Sequence, residues 1–223
     1  MQFIRTSDWQ PGIEDLTKRI QSALSGNDQV LWLLPGGSNI SASVSVMEHL
    51  DSEHTKNLTL LLTDERYGPV GHQNSNAAQL NAAGFAPKQA TMLPVLVAGL
   101  DLEATRAHYE QIALEAFQKA TIIIGQFGMG ADGHIAGILP HSEAVDATEF
   151  VAAYEANEFT RLTLTAHALK RLSAAYVFVF GDSKADALER LHDQTLPYAD
   201  EPSQIVKELP EAYIYNDQIG DSI

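Results

Sequence analysis

The chain has 223 residues, 45% of them hydrophobic, which is enough for one large domain with a sizeable core. Its formal charge of −15 argues against nucleic acid and anionic membrane surfaces as partners, because both are bound mostly through pooled positive charge. Cysteine is absent, which excludes disulfides, thiolate metal sites and a cysteine nucleophile.

The amino terminus, MQFIRTSDWQ, has no long apolar segment, and nowhere do about 18 apolar residues run together as a spanning helix requires. The reading is a soluble cytoplasmic protein with residues 1–223 as one domain. A first short strand is expected at Gln2 to Arg5. Ile13, Leu16, Ile20 and Leu24 then recur at helical spacing, and Ser25-Gly26-Asn27 ends that helix. Val30 to Leu34 (VLWLL) reads as a central strand running into Pro35-Gly36-Gly37-Ser38, after which Ile40, Val44 and Met47 resume a helical stripe. Such a junction suits phosphate, because a helix amino terminus offers free N–H groups and the positive end of its dipole. Ser38 either adds a hydroxyl to that site or caps the helix. The lysine of a nucleotide P-loop is missing.

Leu58 to Leu62 (LTLLL) is a second buried strand, with the polar group Thr63-Asp64-Glu65-Arg66 at its carboxyl end. Gly68 to Asn76 is rich in turn residues, and a short helix from Ala77 to Asn81 is terminated by Gly84. Asp101 is placed to cap a long helix with Leu102, Tyr109, Ala113 and Ala116 inward and a Glu115–Lys119 pair outside. Ile122-Ile123-Ile124 follows as a buried strand that should stop at Gly125. Further on, Arg161-Leu162-Thr163-Leu164-Thr165 alternates as a strand does, Ala166 to Leu172 makes a brief helix, and Ala175 to Phe180 is the next buried strand. Gly181-Asp182-Ser183-Lys184 then repeats the pattern of turn, cap and helix start, before a helix that buries Ala185, Leu188 and Leu191. A turn and short helix at Pro202 to Val206 and a last strand at Ala212 to Tyr215 complete the chain. Strands and helices alternating throughout imply a parallel, three-layer α/β domain with right-handed crossovers.

The segment from Gly128 to His134 (GMGADGH) carries the strongest chemical signal. Glycines at a strand's carboxyl end let the backbone fold tightly around a small polar ligand, and ligands favour that edge of an α/β sheet. His134 has the residue type of a general acid or base, and Asp132 two positions earlier can fix its tautomer. There is no Gly-x-Ser-x-Gly elbow and no His-x-x-x-His spacing, so neither a serine nucleophile nor a metal is expected.

Four segments in order resemble the 6-phosphogluconolactonases, which share a superfamily with the glucosamine-6-phosphate deaminases: Pro35 to Ser38, Thr63 to Arg66 with Asn74-Ser75-Asn76, Gly128 to His134, and Arg161 to Thr165 followed by Gly181 to Ala185. The resemblance implies a doubly wound, mostly parallel sandwich of the kind seen in ribose-5-phosphate isomerase and CoA transferases, with no cofactor. It implies a small sugar phosphate lactone as substrate, and a monomer or weak homo-oligomer. On the same resemblance Gly36, Gly37, Ser38, Arg66 and Lys184 hold the substrate phosphate and His134 performs the acid–base step. Asp132 is a candidate to orient that histidine, Asp64 bonds either the histidine or a sugar hydroxyl, and backbone N–H groups near Gly130 meet the oxyanion. Arg161 is either a substrate ligand or an ion-pair partner behind the site. Asn39-Ile40 and Ile135 to Leu139 depart from the lactonase pattern. The deaminase branch places a glutamate where this chain has Leu139 and an aromatic residue where it has Arg66, and it is usually longer, so the resemblance favours the lactonase over the deaminase. A sugar-phosphate-binding protein without catalysis is the remaining alternative, and it would have no need of His134.

Overall fold

The computed structural model describes residues 1–156 and 158–222, with the backbone alone at 221 and 222. Its strands and helices are β1 (Gln2–Arg5), α1 (Gln10–Ser25), β2 (Val30–Leu34), α2 (Ile40–His49), β3 (Leu58–Leu62), β4 (Asp64–Arg66), α3 (Asn76–Ala82), β5 (Thr91–Met92), α4 (Leu102–Lys119), β6 (Ile122–Gly128), β7 (Val151–Ala156), β8 (Phe159–Leu164), α5 (Ala166–Leu169), β9 (Ala174–Val179), α6 (Ala185–Asp193), β10 (Ala212–Asn216) and β11 (Asp221–Ser222). Eight strands form one sheet in the order β11-β1-β10-β9-β6-β2-β3-β5. Every pairing in it is parallel. Helices flank this sheet, as the alternating pattern predicts.

The central strands are apolar because both of their faces are covered. All five residues of β2 and all six of β9 are buried. Trp32, Leu33 and Leu34 are completely enclosed. Helix α1 starts with Pro11 in its first turn, where a missing N–H costs nothing. Gly12 then lets the helix lie against the sheet, since a Cβ there would come within 2.6 Å of the Phe178 ring. In α4, Asp101 caps the helix by accepting from the Ala104 amide at 2.9 Å. Tyr109 from the same helix donates to the Leu62 carbonyl at 2.6 Å and so ties α4 to the end of β3.

Several expectations are corrected. Strand β6 does not stop at Gly125 but runs on to Gly128. Gly125 lies inside the strand because the Phe127 ring occupies the space its Cβ would need, 2.3 Å away. Gln126, fully buried in that strand, is satisfied by Ser43 Oγ, which donates to its Oε1 at 3.0 Å, and by the Asn39 carbonyl, which accepts from its Nε2 at 3.3 Å. The polar group after β3, which the sequence left without an element of its own, is part of a second sheet. Asp64 to Arg66 is a strand paired antiparallel with β8, and β8 pairs antiparallel with β7, a strand absent from the sequence reading. The fold is therefore a parallel sheet with a small antiparallel sheet, β4-β8-β7, beside it. Two smaller corrections concern helix starts: Asn39 and Lys184 hold the cap positions of α2 and α6, with no side-chain cap from Ser38 or Asp182. Ala187 is buried in α6 in place of Ala185, which is only half-buried.

Candidate active site

Strands β9, β6, β2 and β3 are consecutive in the sheet and parallel, so their carboxyl ends open on one edge. The chain leaves β2 toward β3 on one side, and β6 pairs with β9 on the other. The edge between β2 and β6 is thus a topological switch point, where open α/β sheets bind ligands. At about 4.8 Å per strand, the four ends span roughly 14 Å, the scale of one phosphorylated sugar. A cleft of about 350 Å³ lies there.

Nine of the ten residues expected from the sequence line this cleft: Gly36, Gly37 and Ser38 from the turn after β2, Asp64 and Arg66 from β4, Gly130 and His134 from the turn after β6, Arg161 from β8 and Lys184 before α6. Asp132 is the exception and sits behind the histidine. The small antiparallel sheet explains how two arginines so far apart in sequence arrive together, because Arg66 and Arg161 are register partners across β4 and β8. Gly37 takes a φ of +63°, a backbone conformation that glycine adopts at little cost, and this turns the chain into the short 3-10 segment Gly37–Asn39 that leads into α2.

His134 is held by Asp132. Asp132 Oδ1 lies 2.6 Å from His134 Nδ1 and also accepts from the His134 amide at 3.1 Å. The hydrogen bond from His134 holds the Asp132 carboxyl down at about 2, so it is ionised and acts only as an acceptor. Nδ1 therefore carries the proton of a neutral ring, and Nε2 is left as the acceptor nitrogen. This settles which carboxylate touches the histidine. Asp64 instead accepts from Thr63 Oγ1 at 3.0 Å and from Asn76 Nδ2 at 3.3 Å.

Two glycine amides of this turn are engaged within it. The Gly130 amide donates to the His134 carbonyl at 3.0 Å and the Gly133 amide to the Gly130 carbonyl at 3.0 Å, so the turn consumes both. What Gly130 provides is clearance: a Cβ there would lie 2.1 Å from His134 Nδ1 and 2.4 Å from Asp132 Oδ1.

Three cations face one carboxylate, Asp64, in a chain that is strongly acidic elsewhere. Arg66 donates from Nη1 to the Asn74 carbonyl at 2.9 Å and lies over the Phe159 ring at 5.3 Å, leaving its Nε buried without a partner. Arg161 also has a buried Nε without a partner. Burial lowers the pKa of the Lys184 ammonium below the ordinary lysine value. Among the described residues none of the three forms an ion pair, so the alternative of Arg161 as an ion-pair partner is not what the geometry contains. An anion entering the cleft meets three cations that form no ion pair among the described residues.

The sequence reading missed two wall residues, Asn39 and Asn76, both buried. Each stands at a helix start, where asparagine is common for capping alone, so residue type gave no further signal. Glu65 was also unassigned. It is fully enclosed and accepts from the Asn76 amide at 2.7 Å, the Ala77 amide at 3.0 Å and Ser75 Oγ at 2.9 Å. It anchors the first turn of α3 beneath the cleft.

Comparison with known proteins bears on this geometry. The model of the family described as glucosamine-6-phosphate isomerases/6-phosphogluconolactonase matches residues 10–214. The chain belongs to this family. Among curated relatives, a 6-phosphogluconolactonase of Mycobacterium leprae is 29% identical over 192 residues, covering 78% of this chain and 76% of the relative. One of Treponema pallidum is 30% identical, covering 76% and 79%. Among solved structures, a 6-phosphogluconolactonase from Shewanella baltica superimposes with a TM-score of 0.82 at 17% identity, with 97% of each chain covered. A monomeric glucosamine-6-phosphate deaminase gives 0.80 at 17% identity, covering 98% of each. Both branches of the family thus share this fold, and the fold does not choose between them.

Proposed function

We propose that the chain hydrolyses 6-phospho-D-glucono-1,5-lactone to 6-phosphogluconate, the lactone-opening step of the oxidative pentose phosphate pathway. The observation that carries this reading is His134, backed by Asp132 at 2.6 Å, on the same cleft as three cations that form no ion pair among the described residues. Relatives named 6-phosphogluconolactonase support it.

In this reading the substrate phosphate docks on the Gly37 and Ser38 amides at the start of α2, with Arg66 and Lys184 closing around it. His134 Nε2 takes a proton from water as the oxygen attacks C1. Negative charge then develops on the carbonyl oxygen, and Arg161 opposes it, since the amides of Gly130 and Gly133 are already used. Collapse breaks the bond from C1 to the ring oxygen, which takes the proton back from His134. A lactone is electrophilic enough for this to need only a placed water, a base and charge stabilisation. Asp64 holds a sugar hydroxyl. The whole chain acts as one domain, as a cytoplasmic monomer or weak homo-oligomer, without nucleic acid or membrane.

The deaminase reading has a specific observation against it. The family's deaminases use a glutamate where this chain has Leu139, whose apolar side chain packs against the core and can neither give nor take a proton, while its amide donates to the Tyr154 hydroxyl at 3.3 Å. Following lactone disappearance and ammonia release from glucosamine 6-phosphate in parallel tests the choice. Lactone hydrolysis that exceeds the spontaneous rate and falls by about 10²-fold or more in His134→Ala, with 6-phosphogluconate still bound, is expected. Ammonia release, or binding without turnover, would overturn the proposal.

A further inference from the structure

The turn that carries His134 is braced from behind by residues outside the cleft. Gly133 has a φ of +81°, and a Cβ on it would strike Glu201 Cγ at 2.3 Å, so the Glu201 side chain rests directly on the turn. Glu201 is only 1% exposed, and a carboxylate that deep needs a partner. Its charge partner is Arg190, whose Nε donates to Glu201 Oε2 at 2.6 Å. Two residues further on, the Ser203 amide donates to the Gly133 carbonyl at 2.9 Å. The turn is thus held by a backbone bond and by a buried carboxylate pressed against it.

Arg190 belongs to α6, the helix that begins directly after Lys184. Six residues at 1.5 Å each separate them by about 9 Å along the helix axis. One rigid element therefore carries a phosphate-side lysine at its start and, further along, the arginine that fixes the brace behind His134. Glu201 is enclosed while Arg190 is one-third exposed, and an enclosed carboxylate is a costly way to fill space where an apolar side chain of the same size would do as well or better.

We propose that Arg190 and Glu201 are positioning residues that hold the Gly130–His134 turn in register with the phosphate grip through α6. Neither touches the cleft, so they act on chemistry through the placement of His134. This rests on the lactonase reading above for its kinetic test. Glu201→Ala removes the brace and Glu201→Asp retracts it while keeping the charge, whereas Glu201→Gln keeps its shape and an acceptor for Arg190. Arg190→Met releases the brace from the other side.

Displacing a base by an ångström costs up to about 10²-fold, so kcat should fall about 10-fold or more in Glu201→Ala, Glu201→Asp and Arg190→Met. The dissociation constant for 6-phosphogluconate should stay within about twofold, because the grip itself is untouched. Glu201→Gln should recover most of kcat. Independently of turnover, the downfield proton resonance of His134 Nδ1–H should shift or broaden in Glu201→Asp and remain in Glu201→Gln. Wild-type kcat and an unmoved Nδ1–H signal in folded Glu201→Asp would overturn the positioning role, as would equal losses of kcat and of product affinity. A wild-type chain with no lactonase activity would sink the functional reading instead, and the resonance would still test the brace.

Discussion

At the scale of single residues, the site depends on a hydrogen bond that one missing methyl group permits. Gly130→Ala would drive a Cβ to 2.1 Å from His134 Nδ1 and 2.4 Å from Asp132 Oδ1, so both members of the pair would have to move. We expect the variant to fold and to lose about 10²-fold in kcat, close to the loss in His134→Ala, with KM little changed. Steady-state kinetics on purified protein checks this, and a normal kcat would mean that the pair is not the working group. The same bond has a signature in stability. Asp132 titrates at about 2 in the folded chain because it accepts from His134, below an unfolded aspartate near 3.9. A depressed carboxylate stabilises the fold wherever it is ionised, so the contribution is present above about pH 4 and disappears as pH falls toward 2. Melting temperatures of wild type and Asp132→Asn should therefore differ at pH 7, differ as much at pH 5, and converge in strong acid.

At the scale of elements, the cleft is assembled by short segments whose own propensity would not form them. Strand β4 is only Asp64-Glu65-Arg66, three charged residues, and it exists because β8 offers it a partner and α3 sits over its end. Glu65 is the joint. Its carboxylate holds the amides of Asn76 and Ala77 at the start of α3, along with the Ser75 hydroxyl and the Arg66 amide at 2.7 Å. Removing it strands buried donors, so Glu65→Ala should lose on the order of 3 kcal/mol in denaturant unfolding and should also weaken product binding, since Asn76 and Arg66 would shift together. A loss of stability below about 1 kcal/mol would show that α3 is held by packing alone.

For the whole molecule, the buried apolar side chains of both sheets fall in one connected cluster, from Ile13 in α1 through Trp32 and Phe127 to Leu162 in β8 and Tyr215 in β10. The small sheet is therefore built on the same core as the large one. We expect one cooperative thermal transition with equal calorimetric and van't Hoff enthalpies, and two resolved transitions would divide the chain into separate folding units. The net charge acts at this scale as well. A chain at −15 repels an anionic substrate at long range, but at physiological ionic strength that repulsion is screened beyond about 8 Å. Arg66, Arg161 and Lys184 then dominate what a phosphate feels inside the cleft.

The central strands were readable from the chain because burial on both faces demands unbroken apolar runs, and VLWLL and LTLLL can satisfy that in few other ways. The helix stripes, the Asp101 cap and the glycine-rich turn with its histidine were readable for similar reasons, each being a local pattern with a local cause. What lay beyond reach depends on partners distant in sequence. Val151 to Ala156 carries three alanines and little strand propensity, and it becomes β7 only by pairing with β8. Gly125 looked like a strand's end because the sequence does not show β9 pairing alongside it, nor Leu172 closing to within 2.9 Å of where its Cβ would lie. The choice between Asp132 and Asp64 likewise belonged to tertiary structure, since a hydrogen bond is decided by a few tenths of an ångström and by where the turn's glycines bring the backbone. Residue type and order alone determined which groups this protein possesses, and packing across four strand ends decided which of them meet.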